Sequence, residues 1–331
     1  MATDLNVSYL QIALKTPIVV GACPMTLELE SVRQMIACGA GAVVLPSIFQ
    51  EQIAYRDESQ SRYNGGPEQY LTSIQEMKRL ACIPVIANMN GYSDGSWLEY
   101  AKLIEVNGAD AIELNLQPTI SNPAQRAEEI EEQLCEMVRK VCESVSIPVA
   151  VKLTHRFTSI ANLAHRLQLL GATGVVLFAH EPKWGVAIDR LQSTSHWELT
   201  PVDSLGATLT GIIQARLGGL DLSIAASGGV RTAEDAVKAM IAGADVVMIT
   251  SEIYRSGPEA ISKMVHGLER LVEIQGFHSL AQLQQARPTP ETRSKQATRF
   301  EYTDQVTHTT TYHDPTPVVE RQSGDRYGHQ D

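Results

Sequence analysis

Several signals that would assign a class at once are missing from this chain. It contains no G-x-G-x-x-G fingerprint, so a nicotinamide dinucleotide held on such a turn is disfavoured. Its cysteines, Cys23, Cys38, Cys82, Cys135 and Cys142, are odd in number, and no C-x-x-C pair or His/Cys spacing suits zinc or an iron-sulfur cluster. They read as reduced core thiols, with Cys23 set apart by its place at a strand end. No segment supplies a basic stripe, and the formal net charge is -11, so a nucleic-acid partner is excluded. No run approaches the ~18 apolar residues of a membrane span. The opening MATDLNVSYLQIALK lacks the basic and apolar parts of a signal peptide, so no membrane partner and a cytoplasmic location are expected.

What the 331 residues do contain is alternation. Short Val-, Ile- and Ala-rich runs are each followed by an amphipathic helical pattern, eight times over: Ile18 to Cys23, Ala42 to Ser47, Val85 to Asn90, Ala111 to Gln117, Val149 to Leu153, Gly174 to Ala179, Leu222 to Ser227 and Asp245 to Ser251. These runs have little polar alternation, as strands buried on both faces should. Four junctions, ACGAGA, VNGADA, LLGATG and IAGADV, place a glycine just past the last apolar helical residue and then launch a strand. Alternating units in this number predict a TIM (β/α)8 barrel or an open doubly wound sheet. Leu5 to Tyr9 and Gln11 to Leu14 read as a small hairpin closing the barrel floor or as an ordered arm. The segment 288–331 is rich in Thr, Gln, Arg, Asp and His and reads as a disordered tail beside a barrel domain of residues 1–287.

The sharpest local signal is IAASGGVRTAEDAVKAMIAGADVVMITS. A strand runs into Gly228-Gly229, a helix starts near Thr232, and a further strand ends at Thr250-Ser251. Loops after the last two strands of a barrel often converge on a phosphate, and glycines let amides approach its oxygens. The plainer reading is a Gly-Gly turn followed by a Thr N-cap.

Barrel active sites lie at the C-terminal strand ends, where the polar residues here are Cys23, Ser47, Asn88, Asn90, Asn115, Gln117, Lys152 and His180. Lys152 stands out, because an amine at the end of an apolar strand is costly unless it meets an anion or a polarised group. It suits charge stabilisation, a Schiff base, or an ion pair with Glu113. Asn90 and Asn115 offer donor and acceptor to a flat heterocycle or tie off turns. His180 is a proton carrier or a surface histidine.

These residues resemble the dihydroorotate dehydrogenase family of FMN-dependent barrels. The resemblance runs from about Leu5 to Arg287 and is carried in order by YLQIALKTPIVVGACP, GAGAVVLPS, IPVIANMNG, GADAIELNLQP, IPVAVKLT, ASGGVRTAEDA and GADVVMITS. It implies FMN as cofactor, with Ala22, Cys23 and Ser47 near the flavin, Asn90 and Asn115 on ring or substrate, and Lys152 at the N1/O2 edge. Gly228, Gly229, Thr250 and Ser251 would hold the phosphate. It also implies a small-molecule substrate of pyrimidine biosynthesis, a homodimer, and an electron acceptor that the sequence does not name.

The chain departs from the family where the proton-accepting Cys or Ser is placed. Instead of Asn-x-Ser-Cys-Pro-Asn it reads NLQPTISNP, with Thr119 and Ser121 as the nearest hydroxyls. Pro46 and Ser47 replace the lysine after the second strand, and Ala179 stands near the family's asparagine. Two alternatives therefore stay open beside the oxidoreductase: a lyase or aldolase using Lys152 on a phosphorylated substrate, and a catalytically silent flavin-binding protein.

Overall fold

The computed structural model describes residues 3–55, 61–91, 96–117, 122–202 and 204–288. Contacts divide the chain into Met1–Arg287 and Pro288–Asp331. Only the first unit is described below, and the expected disordered tail lies outside the described residues apart from Pro288.

A short antiparallel hairpin, β1 (Val7–Tyr9) and β2 (Ile12–Leu14), precedes the first barrel strand β3 (Ile18–Val20). Then follow α1 (Leu29–Ala37), β4 (Ala42–Phe49), α2 (Gln50–Tyr55), α3 (Ser61–Asn64), α4 (Gly66–Leu80), β5 (Val85–Asn90) and α5 (Ser96–Val106). The middle comprises β6 (Ala111–Asn115), α6 (Ala127–Ser144), β7 (Val149–Leu153), α7 (Ile160–Leu169) and β8 (Gly174–Leu177). A second hairpin, β9 (Lys183–Ala187) with β10 (Gln192–His196), is inserted before α8 (Leu205–Leu217). The chain closes with β11 (Ser223–Ser227), α9 (Ala233–Ala242), β12 (Val246–Ile249), α10 (Ser251–Ser256), α11 (Glu259–Ile274) and α12 (Leu280–Gln285).

The eight parallel strands form a closed barrel in the order β11-β12-β3-β4-β5-β6-β7-β8, so the chain is a TIM barrel rather than an open sheet. Closure leaves no strand edge, and strands such as β7 and β12 are buried at every position. Around them, helices such as α6 turn Ile130, Leu134, Val138 and Val141 inward and their charged residues outward. Observed strand ends fall short of several sequence expectations. β3 stops at Val20, β6 at Asn115 and β12 at Ile249, so Cys23 and Gln117 lie in loops above the barrel, while Thr250 caps α10 and Ser251 opens it. β4 instead runs on to Phe49, with a register shift between Val44 and Ser47 around Pro46, which has no N-H to give the ladder.

The repeated glycine junctions have one conformational cause. Gly39, Gly108, Gly171 and Gly243 all have positive φ, between +96° and +130°, which L side chains rarely adopt. The aspartates of the two GAD junctions share a further role. Asp110 Oδ2 accepts from the Val85 amide at 2.7 Å and pairs with Lys78, while Asp245 Oδ2 accepts from the Ile224 amide at 2.8 Å and pairs with Arg216.

The first hairpin does close the barrel floor. Its turn residue Leu10 is wholly buried, donates its amide to Ser223 Oγ at 3.0 Å, and packs on Gly174, where a Cβ would come within 2.4 Å of Leu10 Cδ2.

Candidate active site

Above the barrel, at the C-terminal strand ends, lies a cavity of about 1010 Å³. That size suits a small-molecule or cofactor site. It is lined by Ala22 and Cys23 beyond β3, Ser47 of β4, Asn90 of β5, Asn115 of β6 and Lys152 of β7. From the other side come Gly228 and Gly229 after β11 and Thr250 and Ser251 after β12. The structure thus brings together every sequence-nominated site residue except Thr119 and Ser121, which lie outside the described residues. Asn88 is not among the lining residues: it is fully buried.

Lys152 is held by the ion pair that the sequence left as one of three options. Its Nζ lies 3.1 Å from Glu113 Oε1, and Glu113 is fully buried. The strand register explains this, since Asn115 is level with Lys152 and Asn88 is level with Glu113. The Asn88 amide donates to the same Glu113 oxygen at 2.6 Å. The second oxygen, Oε2, is buried and has no partner among the described residues. An amine engaged this way is a fixed positive charge at the cavity floor, not a free nucleophile.

Beyond β11, Gly228 and Gly229 have φ of +108° and +82°. A Cβ on Gly229 would come within 2.3 Å of the Leu205 nitrogen at the start of α8. Neither glycine amide has a hydrogen-bond acceptor among the described residues. Thr232 caps α9 as expected, its hydroxyl accepting from the Asp235 amide while Asp235 reaches back to the Thr232 amide. This cradle, with two amides that have no acceptor among the described residues and no room for a Cβ at Gly229, suits phosphate oxygens.

Sequence reasoning missed the insertion between β8 and α8. It took Ser251 as a free hydroxyl at a strand end, whereas Ser251 opens α10 and accepts from the Thr200 amide at 3.0 Å. Arg255 donates to the Thr200 carbonyl. The strap around Thr200 is therefore tied down on α10. Arg231 also lines the cavity and pairs with Glu252 at 3.0 Å. Burial raises the Glu252 carboxyl, but hydrogen bonds from Ser256 and Arg231 and the charges of Arg231 and Arg255 outweigh it and leave it lowered. A signal for the insertion did exist in the alternating Trp184, Val186 and Ile188 ahead of Asp189-Arg190.

Burial pushes the Cys23 thiol up to about 11, against hydrogen bonds from Thr26, Met25 and Tyr254 that lower it. Tyr254 is pushed up to about 12 and Tyr63 is also raised, in both cases mainly by desolvation.

No protein-family profile matches the chain. Among curated proteins, it is 28% identical over 212 residues to a protein of Aeropyrum pernix named provisionally as dihydroorotate dehydrogenase A (fumarate), a match covering 60% of this chain and 66% of that one. It is 26% identical to the catalytic subunit of dihydroorotate dehydrogenase B (NAD(+)) of Shouchella clausii, over 48% of this chain and 54% of that one. The corresponding subunit of Caldicellulosiruptor saccharolyticus is 32% identical over 94 residues, or 28% of this chain and 31% of that one. The matches thus span 31% to 66% of the lengths of these three relatives. Taken with the closed eight-stranded parallel barrel, they fit a divergent dihydroorotate dehydrogenase-like TIM barrel.

Proposed function

We propose that this chain is an FMN-dependent oxidoreductase that oxidises dihydroorotate or a related small carboxylated or amide compound. The observation that carries the reading is the presence, within one cavity, of both the Gly228-Gly229 cradle after β11 and the Lys152 amine of β7. Gly228, Gly229, Thr250 and Ser251 would hold the FMN phosphate. Ala22, Cys23, Ser47, Asn90 and Asn115 would meet the ring or the substrate. When bound, FMN supplies a two-electron acceptor for hydride.

The chain's own groups supply placement and charge. Lys152, fixed on Glu113, offers positive charge to an electron-rich ring edge without a reorganisation cost. Asn115 presents an amide whose Oδ1 is 3.3 Å from Gln117 Nε2, leaving its own donors for a carbonyl. The Thr200 strap lines the same cavity, together with Trp184 and Trp197. The ion pair of Lys152 weighs against the Schiff-base alternative.

The test is anaerobic. FMN-loaded protein is mixed with dihydroorotate and with related saturated carboxylates and amides while the flavin band is followed. Bleaching by one of them supports the reading. Retention of colour with the whole panel contradicts it, and trapping of a substrate on Lys152 by borohydride would put the lyase in its place. A homodimer and an electron-accepting partner belong to the same proposal, and sedimentation at increasing concentration tests the first.

A further inference from the structure

Oxidation of a CH-CH group needs a base for the proton that leaves beside the hydride, and NLQPTISNP offers no thiol. Most ionisable groups around the cavity are engaged or in the wrong form. Lys152 is paired with Glu113. Cys23, Tyr63 and Tyr254 are a thiol and two phenols, weak acids whose ionisation burial disfavours further. Glu181 is held by Arg156 at 3.0 Å with His155 at 3.7 Å, and Glu198 is held by Lys183 at 2.6 Å and His196 at 2.9 Å.

His180 is different. It follows β8, lines the cavity, and has its Nε2 2.7 Å from the backbone carbonyl of Glu198. A carbonyl oxygen only accepts, so Nε2 carries the hydrogen and, in the neutral ring, Nδ1 carries the free lone pair. The ring lies 5.3 Å from Trp197, centroid to centroid, so one side of the insertion fixes both its tautomer and its plane. The Gln117 amide, beside Asn115, approaches the His180 carbonyl at 3.5 Å and links the histidine to the end of β6.

We infer that His180 is the proton acceptor of the reaction, taking the proton at Nδ1 from a carbon next to a carbonyl of the substrate. This rests on the oxidoreductase reading. The substrate C-H bond breaks with its proton moving to Nδ1, and the electron pair forms the new C=C bond. The hydride leaving the neighbouring carbon goes to the flavin-class acceptor, and the imidazolium later releases its proton to solvent. His180 thus takes the place of the thiol that NLQPTISNP lacks, and the β9-β10 insertion sets its tautomer through the Glu198 carbonyl.

The test uses the full chain in two measurements. In 15N-histidine-labelled protein, the ring signals lost in His180→Gln are assigned to His180, and in the neutral ring they should show the Nε2-H tautomer. In the FMN-loaded protein, anaerobic flavin reduction by the substrate that bleaches it should rise with pH along a single-proton limb, as a base that must be deprotonated requires. His180→Gln should keep FMN and substrate affinity, lose that limb, and slow reduction by about 10²- to 10⁴-fold. Added imidazole should restore part of the rate in His180→Ala, which a purely structural role would not allow. An Nδ1-H tautomer, or an unchanged rate and pH profile in His180→Gln, overturns the inference while leaving the oxidoreductase standing. Colour retained by the wild-type protein with every substrate overturns both.

Discussion

Lys152 Nζ lies 3.1 Å from Glu113 Oε1, on adjacent strands beneath the cavity, and both side chains are nearly or fully withdrawn from water. Removing one member of such a pair leaves the other charge buried alone, which costs about 3–5 kcal/mol. Lys152→Met is therefore expected to lower the unfolding free energy by that order in urea titrations. Combining it with Glu113→Leu should return most of the loss, because the orphaned carboxylate goes too. A single variant within about 0.5 kcal/mol of wild type would contradict a buried ion pair here.

Gly229→Ala should separate the cradle from general helix effects. The new Cβ would sit 2.3 Å from the Leu205 nitrogen at a φ of +82°, so the loop or the start of α8 must shift. A loss of about 1–3 kcal/mol and at least about tenfold weaker FMN binding are expected. Gly206→Ala, next to Leu205 in α8 but with nothing within 4 Å of the added Cβ, should be neutral or stabilising by up to about 1 kcal/mol.

The barrel was legible in the sequence because its cues are local. An apolar run buried on both faces and a glycine past four of the helices need no knowledge of distant partners, and Gly39, Gly108, Gly171 and Gly243 adopt positive φ as those junctions require. Lys152 was legible as an anomaly, but its pairing with Glu113 depends on the β6-β7 register and on the packing above it, which composition does not encode. The β9-β10 hairpin was missed because its strand residues are mostly exposed, so no buried run announces them. With it went the anchoring of Thr200 on Ser251 and the carbonyl that orients His180.

Ser251→Ala removes the acceptor of the Thr200 amide and the hydroxyl contact at 3.0 Å. The strap should loosen by about 1 kcal/mol, read as faster amide hydrogen exchange at Thr200 with the barrel strands unchanged. Equal exchange in both proteins would show that Arg255 alone holds the strap.

The thiols should differ sharply in chemistry. At pH 8 a disulfide reagent is expected to modify exposed Cys82 quickly and buried Cys23 hardly at all. Because burial raises the folded-state value of Cys23 to about 11 from an ordinary value of 9.0, the folded state favours the protonated thiol. Its stabilisation is fully present below pH 9 and is lost as pH rises through 11. Cys23→Ala should flatten the part of the alkaline stability loss that falls between those values. An alkaline profile identical to wild type would contradict it.

Equilibrium titration of the purified, cofactor-free chain with FMN, followed by quenching of flavin fluorescence, tests the central claim most directly. Saturable one-to-one binding that is weakened by Gly229→Ala and retained in Gly206→Ala is the expected result. A folded barrel that leaves flavin fluorescence unquenched at every protein concentration would contradict the claim that this cavity is an FMN site.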